Sequence, residues 1–159
     1  MKRIANILSI LALLVAFSHN VNATRQVQDI IIIDKVEHRL NKVLLYQLDS
    51  VTYDALGKKL EFDKSSYSGN WRGHASTFEV KGKKLYLNSI ATSKVHTDFN
   101  GLLDKYLDRK GRVFASWVSG ILVCGTGECL HVEPDGLFPV YEQETELVVE
   151  AGIIVSSRT

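Results

Sequence analysis

The sequence predicts a mainly β fold, an antiparallel sheet curled into a barrel or sandwich with one helix packed against it. Short runs rich in β-branched and aromatic residues recur along the chain. Turns that contain glycine separate several of these runs. One segment, near 98–109, carries apolar residues at helical spacing. Strands joined by turns, with one interposed helix, are typical of an antiparallel sheet that closes on itself.

The chain begins with the three-part layout of a secretory signal peptide. Lys2 and Arg3 precede an apolar run over 7–17, and Val21 and Ala23 fit the pockets of a signal peptidase. The apolar run is shorter than the roughly 20 residues that a membrane-spanning helix needs. No cysteine follows the expected cut to carry a lipid. We therefore expect cleavage near Ala23 and a periplasmic or secreted protein of a Gram-negative bacterium.

The mature chain, 24–159, is expected to form a single domain. Removing 23 residues from 159 leaves 136, which is the size of one domain with its own core. Two of the 19 basic residues leave with the signal, so 17 basic residues face 18 acidic ones and the formal charge becomes −1. This balance does not favour binding to nucleic acid or to an anionic membrane.

The first half of the mature chain contains one clear strand and one clear hairpin. The isoleucine run within 29–34 predicts a first strand, and a turn at 34–37 leads to a second strand over 38–45. The segment 47–68 is predicted to be mostly irregular. Segments 71–80 and 83–90 flank Lys81-Gly82 and predict a hairpin.

The second half is predicted to begin with the helix and continue as strands. Asp98 can cap a helix over 98–109, and Gly111 can end it. Segment 112–123 is apolar on both alternations, which predicts one central strand. Segments 144–150 and 153–156 alternate and predict a terminal hairpin with Thr145, Leu147 and Val149 facing inward.

The cysteine pair points to a hairpin tip. Cys124 and Cys129 enclose four residues, two of them glycine, after a β-rich stretch. Cysteines that face each other across two antiparallel strands are close enough for a disulfide, and an exported protein meets oxidising conditions. The sequence therefore predicts a Cys124–Cys129 disulfide. A zinc site that includes His131 lacks a fourth ligand at motif spacing, and a redox centre usually has two intervening residues.

Trp71 and Arg72 are the candidate binding residues. They open a predicted strand, and an arginine beside a tryptophan is a pair that anchors partner proteins or stacks on sugars. The alternative is a core tryptophan with an arginine that makes a structural ion pair. Trp117 lies in a strand covered on both sides, which favours a core position.

Catalytic motifs give no comparable signal. The nearest approach to a nucleophile elbow, 116–120, lies inside the predicted central strand. Acidic side chains between 142 and 150 alternate along a predicted strand, which favours an exposed face over paired catalytic carboxylates. The mixed charges between 104 and 112 favour a solvated face. The sequence predicts no catalytic residue, no metal site and no cofactor.

Several strand motifs carry a resemblance to a known group of proteins. The block Trp71-Arg72-Gly73-His74-Ala75, the stretch 83–87, the block Val113-Phe114-Ala115-Ser116-Trp117 and the stretch 140–144 occur in that order. They resemble a family of small exported proteins of Gram-negative bacteria whose function is uncharacterised. The resemblance implies one secreted domain and supplies no activity.

These observations favour a non-enzymatic protein of the cell envelope that binds another protein or envelope component. One concrete form is an immunity or inhibitor protein that neutralises a toxin acting in the envelope. The alternative is a small envelope hydrolase or a ligand-binding module whose site is assembled only by folding.

Overall fold

A computed structural model describes residues 26–132 and 139–159, so the predicted signal peptide lies outside the described residues. Nine strands and one α-helix make up the described fold. The helix, α1, spans Ser50–Leu60. The strands are β1 Ile30–Ile33, β2 Val36–Leu40, β3 Ala75–Lys81, β4 Lys84–Ala91, β5 Val95–His96, β6 Val113–Phe114, β7 Gly120–Val132, β8 Pro139–Glu150 and β9 Ile153–Arg158. The predicted mainly β fold is confirmed.

The sheet closes into a ring of seven strands. Around the ring the order is β1, β2, β7, β8, β9, β4 and β3, and β3 returns to β1. The β1–β3 pairing is parallel, whereas the other pairings in the ring are antiparallel. The short strands β5 and β6 both pair with β4. The result is a mixed-sheet barrel, in agreement with the predicted closed β architecture.

Three local predictions are confirmed. The isoleucine run forms β1, because β-branched side chains favour the extended backbone of a strand, and Ile31 is buried while the other three are partly buried. The hairpin around Gly82 forms β3 and β4. The terminal hairpin forms β8 and β9, with Leu147 and Val149 buried and Thr145 partly buried.

The helix predicted near 98–109 is wrong, and the chain places its helix at Ser50–Leu60 instead. Around 98–109 the structure has only a single 3-10 turn, Asp104–Tyr106. Asp98 and Asp104 accept hydrogen bonds from backbone N–H groups two or three residues away, and such local bonds compete with helix formation. In α1, by contrast, the Asp49 carboxylate accepts from Thr52 N as an N-cap.

The single strand predicted over 112–123 is also wrong. Phe114 pairs with Tyr86 of β4, whereas Gly120 pairs with Val149 of β8, so the two halves belong to different neighbours. Hydrogen-bonded turns occupy the residues between them. Trp117 lies in this connection, partly buried, and its ring Nε1 donates to the Leu44 carbonyl at 3.2 Å.

The hairpin predicted at the cysteines is a further error. β7 runs continuously past both cysteines, with Cys124 opposite Thr145 and Cys129 opposite Tyr141 of β8. Gly127, at φ +86°, lies at an irregularity that the strand absorbs as a bulge. Four residues of strand lie between the cysteines and place their Cα atoms roughly 15 Å apart, beyond the reach of a disulfide. Both thiols are free.

The barrel has one plugged end and one open end. At the end where β1 begins, the chain leaves β2 after Leu40 and enters a buried segment that continues into α1. Its buried side chains include Leu44, Leu45 and Leu48. They belong to one hydrophobic core together with Phe78 and Leu122 of the barrel wall. At the opposite end, where β1 meets β2 and β3 meets β4, the residues that the structure describes leave the lumen open.

Candidate functional site

Asp29 is a buried carboxylate at the plugged end of the barrel. It lies directly before β1, and its side chain is fully buried. Its Oδ1 accepts from the Arg72 guanidinium at 2.8 Å and from Ser76 N at 2.9 Å, and its Oδ2 accepts from Leu44 N at 3.4 Å. Burial raises the pKa of Asp29 above its usual value, while Arg72 and the two N–H groups oppose this rise. The carboxylate thus ties three chain segments together.

Arg72 is directed into the protein. Its side chain is only 8% exposed, and besides Asp29 it donates to the carbonyls of Val27 and His74 at 2.8 and 2.7 Å. These hydrogen bonds join the segment before β1 to the turn that follows Arg72. Of the two predicted binding residues, Arg72 is therefore buried and positions the turn, whereas the Trp71 side chain is exposed to solvent.

Trp71 is the most exposed aromatic side chain near this centre, at 63%. Its backbone N–H donates to Gln26 Oε1 at 3.2 Å. The next glycine, Gly73, adopts φ +72°, and a Cβ there would lie 1.8 Å from the Phe62 carbonyl oxygen. The tryptophan is therefore held on a tightly packed, hydrogen-bonded turn.

His74 anchors an aromatic cluster under this turn. It is fully buried, it lies 4.3 Å from the Phe62 ring centroid, and its Nε2 hydrogen-bonds to Tyr53 Oη at 3.0 Å. Burial and the Arg72 charge lower the pKa of His74 to about 3. The ring is therefore neutral at pH 7, and Tyr53 extends the cluster to Tyr46, whose ring centroid is 5.5 Å away.

Tyr46 and Trp71 together form the exposed part of this region, which we call the Tyr46–Trp71 surface. Tyr46 is 47% exposed. Both residues line two adjoining grooves, of about 410 and 330 Å³. The larger groove is mostly apolar, with Leu40 and Val43 among its lining residues. Two exposed aromatics beside a mostly apolar groove form a surface that can receive protruding side chains of another molecule.

The buried polar residues of this centre do not form a catalytic triad. Ser76 Oγ and His74 Nδ1 have no hydrogen-bond partner among the described residues, and both side chains are buried away from solvent. Asp29 contacts Ser76 through its backbone N–H and does not orient the imidazole. A nucleophile activated by histidine needs a Ser–His hydrogen bond and access for a substrate.

Other charged groups singled out in the sequence have structural partners or lie on the surface. Asp108 and Arg112 pair at 2.6 Å, and the Arg112 guanidinium lies 4.1 Å from the Tyr86 ring centroid. Glu142 accepts from Glu128 N across the β7–β8 pair. Over 26–132 and 139–159, no three His, Cys, Asp or Glu side chains converge as a metal site would require. Within the same ranges no helix has the length and apolar character to cross a membrane.

The sequence indicated Trp71 and missed Tyr46, Tyr53 and Asp29. Tyr46 and Tyr53 fall in a segment expected to be irregular, where helical periodicity from Leu44 to Ala55 was the available signal. Asp29 appeared only as the boundary of a strand. Its role depends on Arg72, which lies 43 residues away, so no local pattern shows it.

Comparisons with protein-family models, curated proteins and solved structures find no match for this chain.

Proposed function

We propose that this protein is a non-enzymatic binding protein of the bacterial cell envelope, which contacts a protein partner through the Tyr46–Trp71 surface. The observation that carries the proposal is Trp71, largely exposed on a turn fixed by the buried Arg72–Asp29 pair. Tryptophan and tyrosine are enriched among residues that dominate binding energy at protein interfaces.

The rigidity of the surface supports the same interpretation. Tyr46 packs edge-on against Tyr53, and Tyr53 hydrogen-bonds to the buried His74. Side chains that are already ordered lose little conformational entropy when a partner binds. The two grooves beside Tyr46 and Trp71 offer room for the partner's own side chains.

An immunity or inhibitor protein is the form of this function that we favour. Such a protein needs a small, stable scaffold with a preformed contact surface, and it needs no chemistry of its own. The expected export signal would bring it to the compartment where an envelope toxin acts. The nearly balanced charge of the mature chain gives no sign of a nucleic-acid partner.

Site-specific photo-crosslinking in intact cells of the source bacterium tests the proposal. A photo-reactive phenylalanine derivative replaces Tyr46 in the surface, and in a second strain it replaces Ile121, which is 50% exposed on β7. We expect one dominant envelope-protein adduct from position 46 and none of that mass from position 121. Mass spectrometry then identifies the partner, and its activity is assayed with and without the purified protein.

A matched pair of alanine variants distinguishes specific recognition from non-specific hydrophobic contact. Trp71→Ala in the crosslinking strain is expected to reduce the adduct at least tenfold while the thermal midpoint stays close to that of the parent. Val95→Ala removes an equally exposed apolar side chain, 67% exposed on β5, and is expected to leave the adduct unchanged. Equal adduct from Trp71→Ala and the parent would contradict the proposal, as would the absence of any discrete adduct.

A further inference from the structure

The open end of the barrel contains a cavity of about 670 Å³ that the proposed partner surface does not use. Strand registers show that several of its lining residues point into the lumen. Ile33 lies opposite Val36, and Ile31, which is fully buried, lies opposite His38. Directly opposed residues share a face of the sheet. Val36 and His38 therefore face the interior together with Ile31.

The same register argument holds on the far side of the ring. Leu122 pairs with Leu147, Cys124 with Thr145 and Thr126 with Gln143. Since Leu122 and Cys124 are fully buried, Thr126 and Gln143 continue the inward face toward the opening. The cavity is the unfilled upper part of the barrel lumen.

The floor of this cavity is apolar. Below it the lumen is filled by buried side chains such as Phe78 and Leu85. Ile33, Val80 and Ile154 pack on that layer and line the cavity. An apolar group that reached this depth would leave water for a hydrocarbon contact surface.

The wall above the floor carries polar, uncharged side chains. Hydroxyl and amide groups of Thr126, Gln143, Thr145 and Ser157 line it together with the His38 ring, and Val36 and Val155 add apolar surface. Burial lowers the pKa of His38 below its ordinary value, so the ring is neutral at pH 7. The charged residues that line the cavity, Asp34 and Lys83, are exposed at its rim and carry opposite charges.

We propose that the open end of the barrel binds an uncharged amphipathic small molecule, with its apolar end on the floor and its hydroxyl or amide groups against the polar wall. A charged ligand would lose hydration in the lumen without a counter-charge there, which is costly. The cavity volume lies within the range of 300–1,000 Å³ typical of sites for small ligands. Small β-barrels of other folds also hold one ligand in this position.

Fluorescence titration of the purified protein tests this site with N-phenyl-1-naphthylamine, an uncharged apolar probe that brightens in apolar surroundings. We expect saturable binding of one probe molecule per chain. Octyl glucoside below its micelle concentration is expected to displace the probe. Octanoate, which has a chain of the same length and a negative charge, should need at least a tenfold higher concentration.

Variants of adjacent residues locate the binding. Gln143→Trp fills the opening from the inward face of β8 and is expected to weaken probe binding at least tenfold. Glu144→Trp places the same ring on the outward face one residue later and is expected to change the probe affinity less than twofold. If Gln143→Trp fails to fold, Ser157→Trp and its outward neighbour Arg158→Trp form an equivalent pair on β9.

Several outcomes would overturn the proposal: no saturable fluorescence, equal affinity in the inward-filled and outward variants, or octanoate displacing the probe as well as octyl glucoside. Trp71→Ala provides the remaining control. It is expected to leave probe affinity unchanged, and a loss of affinity in that variant would place the probe in the Tyr46–Trp71 grooves and refute the lumen site. The partner-binding proposal is tested by crosslinking, so either proposal can fail without the other.

Discussion

The Arg72 guanidinium donates to the Asp29 carboxylate at 2.8 Å across 43 residues of chain, and both side chains are buried. The pair joins the start of β1 to the turn that carries Trp71. A buried ion pair stabilises a fold little more than a pair of apolar side chains would. Removing one partner is nevertheless strongly destabilising, because the other charge stays buried without a counter-charge.

Arg72→Ala is therefore expected to reduce the free energy of unfolding by about 3–5 kcal/mol, because Asp29 would stay buried without its counter-charge. Urea unfolding at pH 7 measures the change. Lys64→Ala, which breaks the exposed Lys64–Glu61 pair, serves as the control and is expected to leave the urea midpoint unchanged. Similar midpoints for the two variants would contradict a structural role for the Asp29–Arg72 pair.

Gly73→Ala is expected to be among the most damaging small substitutions in the chain. Its new Cβ would meet the Phe62 carbonyl oxygen, and the backbone φ of +72° is unfavourable for alanine. We expect a loss of about 3 kcal/mol or more. Gly82→Ala is the matched control, since φ is +65° with open space around it, and it should cost only about 1 kcal/mol. Equal thermal midpoints for both variants would disprove the close approach at Gly73.

Because of His74, the free energy of unfolding is expected to decrease as the pH is lowered. Its pKa is about 3 in the folded protein against an ordinary value of 6.5. Below pH 6.5 the unfolded chain binds a proton that the folded protein does not, so stability present above pH 6.5 is lost as the pH falls toward 3. Between pH 7 and pH 4 the titration of His74 lowers the free energy of unfolding by about 3 kcal/mol.

His74→Phe removes the titrating group and keeps an aromatic ring at that position. Urea unfolding at pH 7, 5.5 and 4 is expected to show a flatter pH dependence for this variant than for the parent. His96→Phe is the control, because His96 is more exposed and its pKa is lowered from 6.5 mainly by partial burial. A slope in His74→Phe equal to that of the parent would show that other groups govern the acid sensitivity.

The two cysteines are expected to react as independent free thiols. Burial raises the pKa of Cys124 to about 11, and its Sγ donates to the Thr145 carbonyl at 3.4 Å, so it should react with a thiol reagent only after unfolding. Cys129 is partly exposed and should react in the native protein. Cys129→Ser should abolish the reaction of the native protein, and Cys124→Ser should abolish the reaction that requires unfolding. An intact mass two hydrogens lower than that of the reduced chain would instead indicate a disulfide.

The helix and the cysteine segment show where local patterns mislead. Leu102, Leu103 and Tyr106 have helical spacing, yet the neighbouring aspartates bond to nearby backbone N–H groups and favour turns. Gly125 and Gly127 are typical of a hairpin tip in sequence, but in the structure they lie within the continuous strand β7. The Tyr141 ring occupies the space where a Gly125 side chain would lie, and Gly127 takes a positive φ within the strand.

The candidate site was predictable only in part, for the same reason. Trp71 and Arg72 stood out as neighbours of unusual type, but the sequence could not show that one faces solvent and the other Asp29. The lumen cavity depends on register across the ring of strands, for example Thr126 opposite Gln143. Neither the pairing nor the inward direction of these side chains is a local property.

The sequence by itself determined the mainly β class, the strand β1, and the hairpins β3–β4 and β8–β9, because alternation and turn residues act over a few neighbouring positions. Only the tertiary structure decided the closure of the ring through the parallel β1–β3 pair, the burial of Arg72 against Asp29, and the open lumen. These features depend on contacts between segments far apart in the chain. Their energies depend on which surfaces meet, and a local sequence pattern does not contain that information.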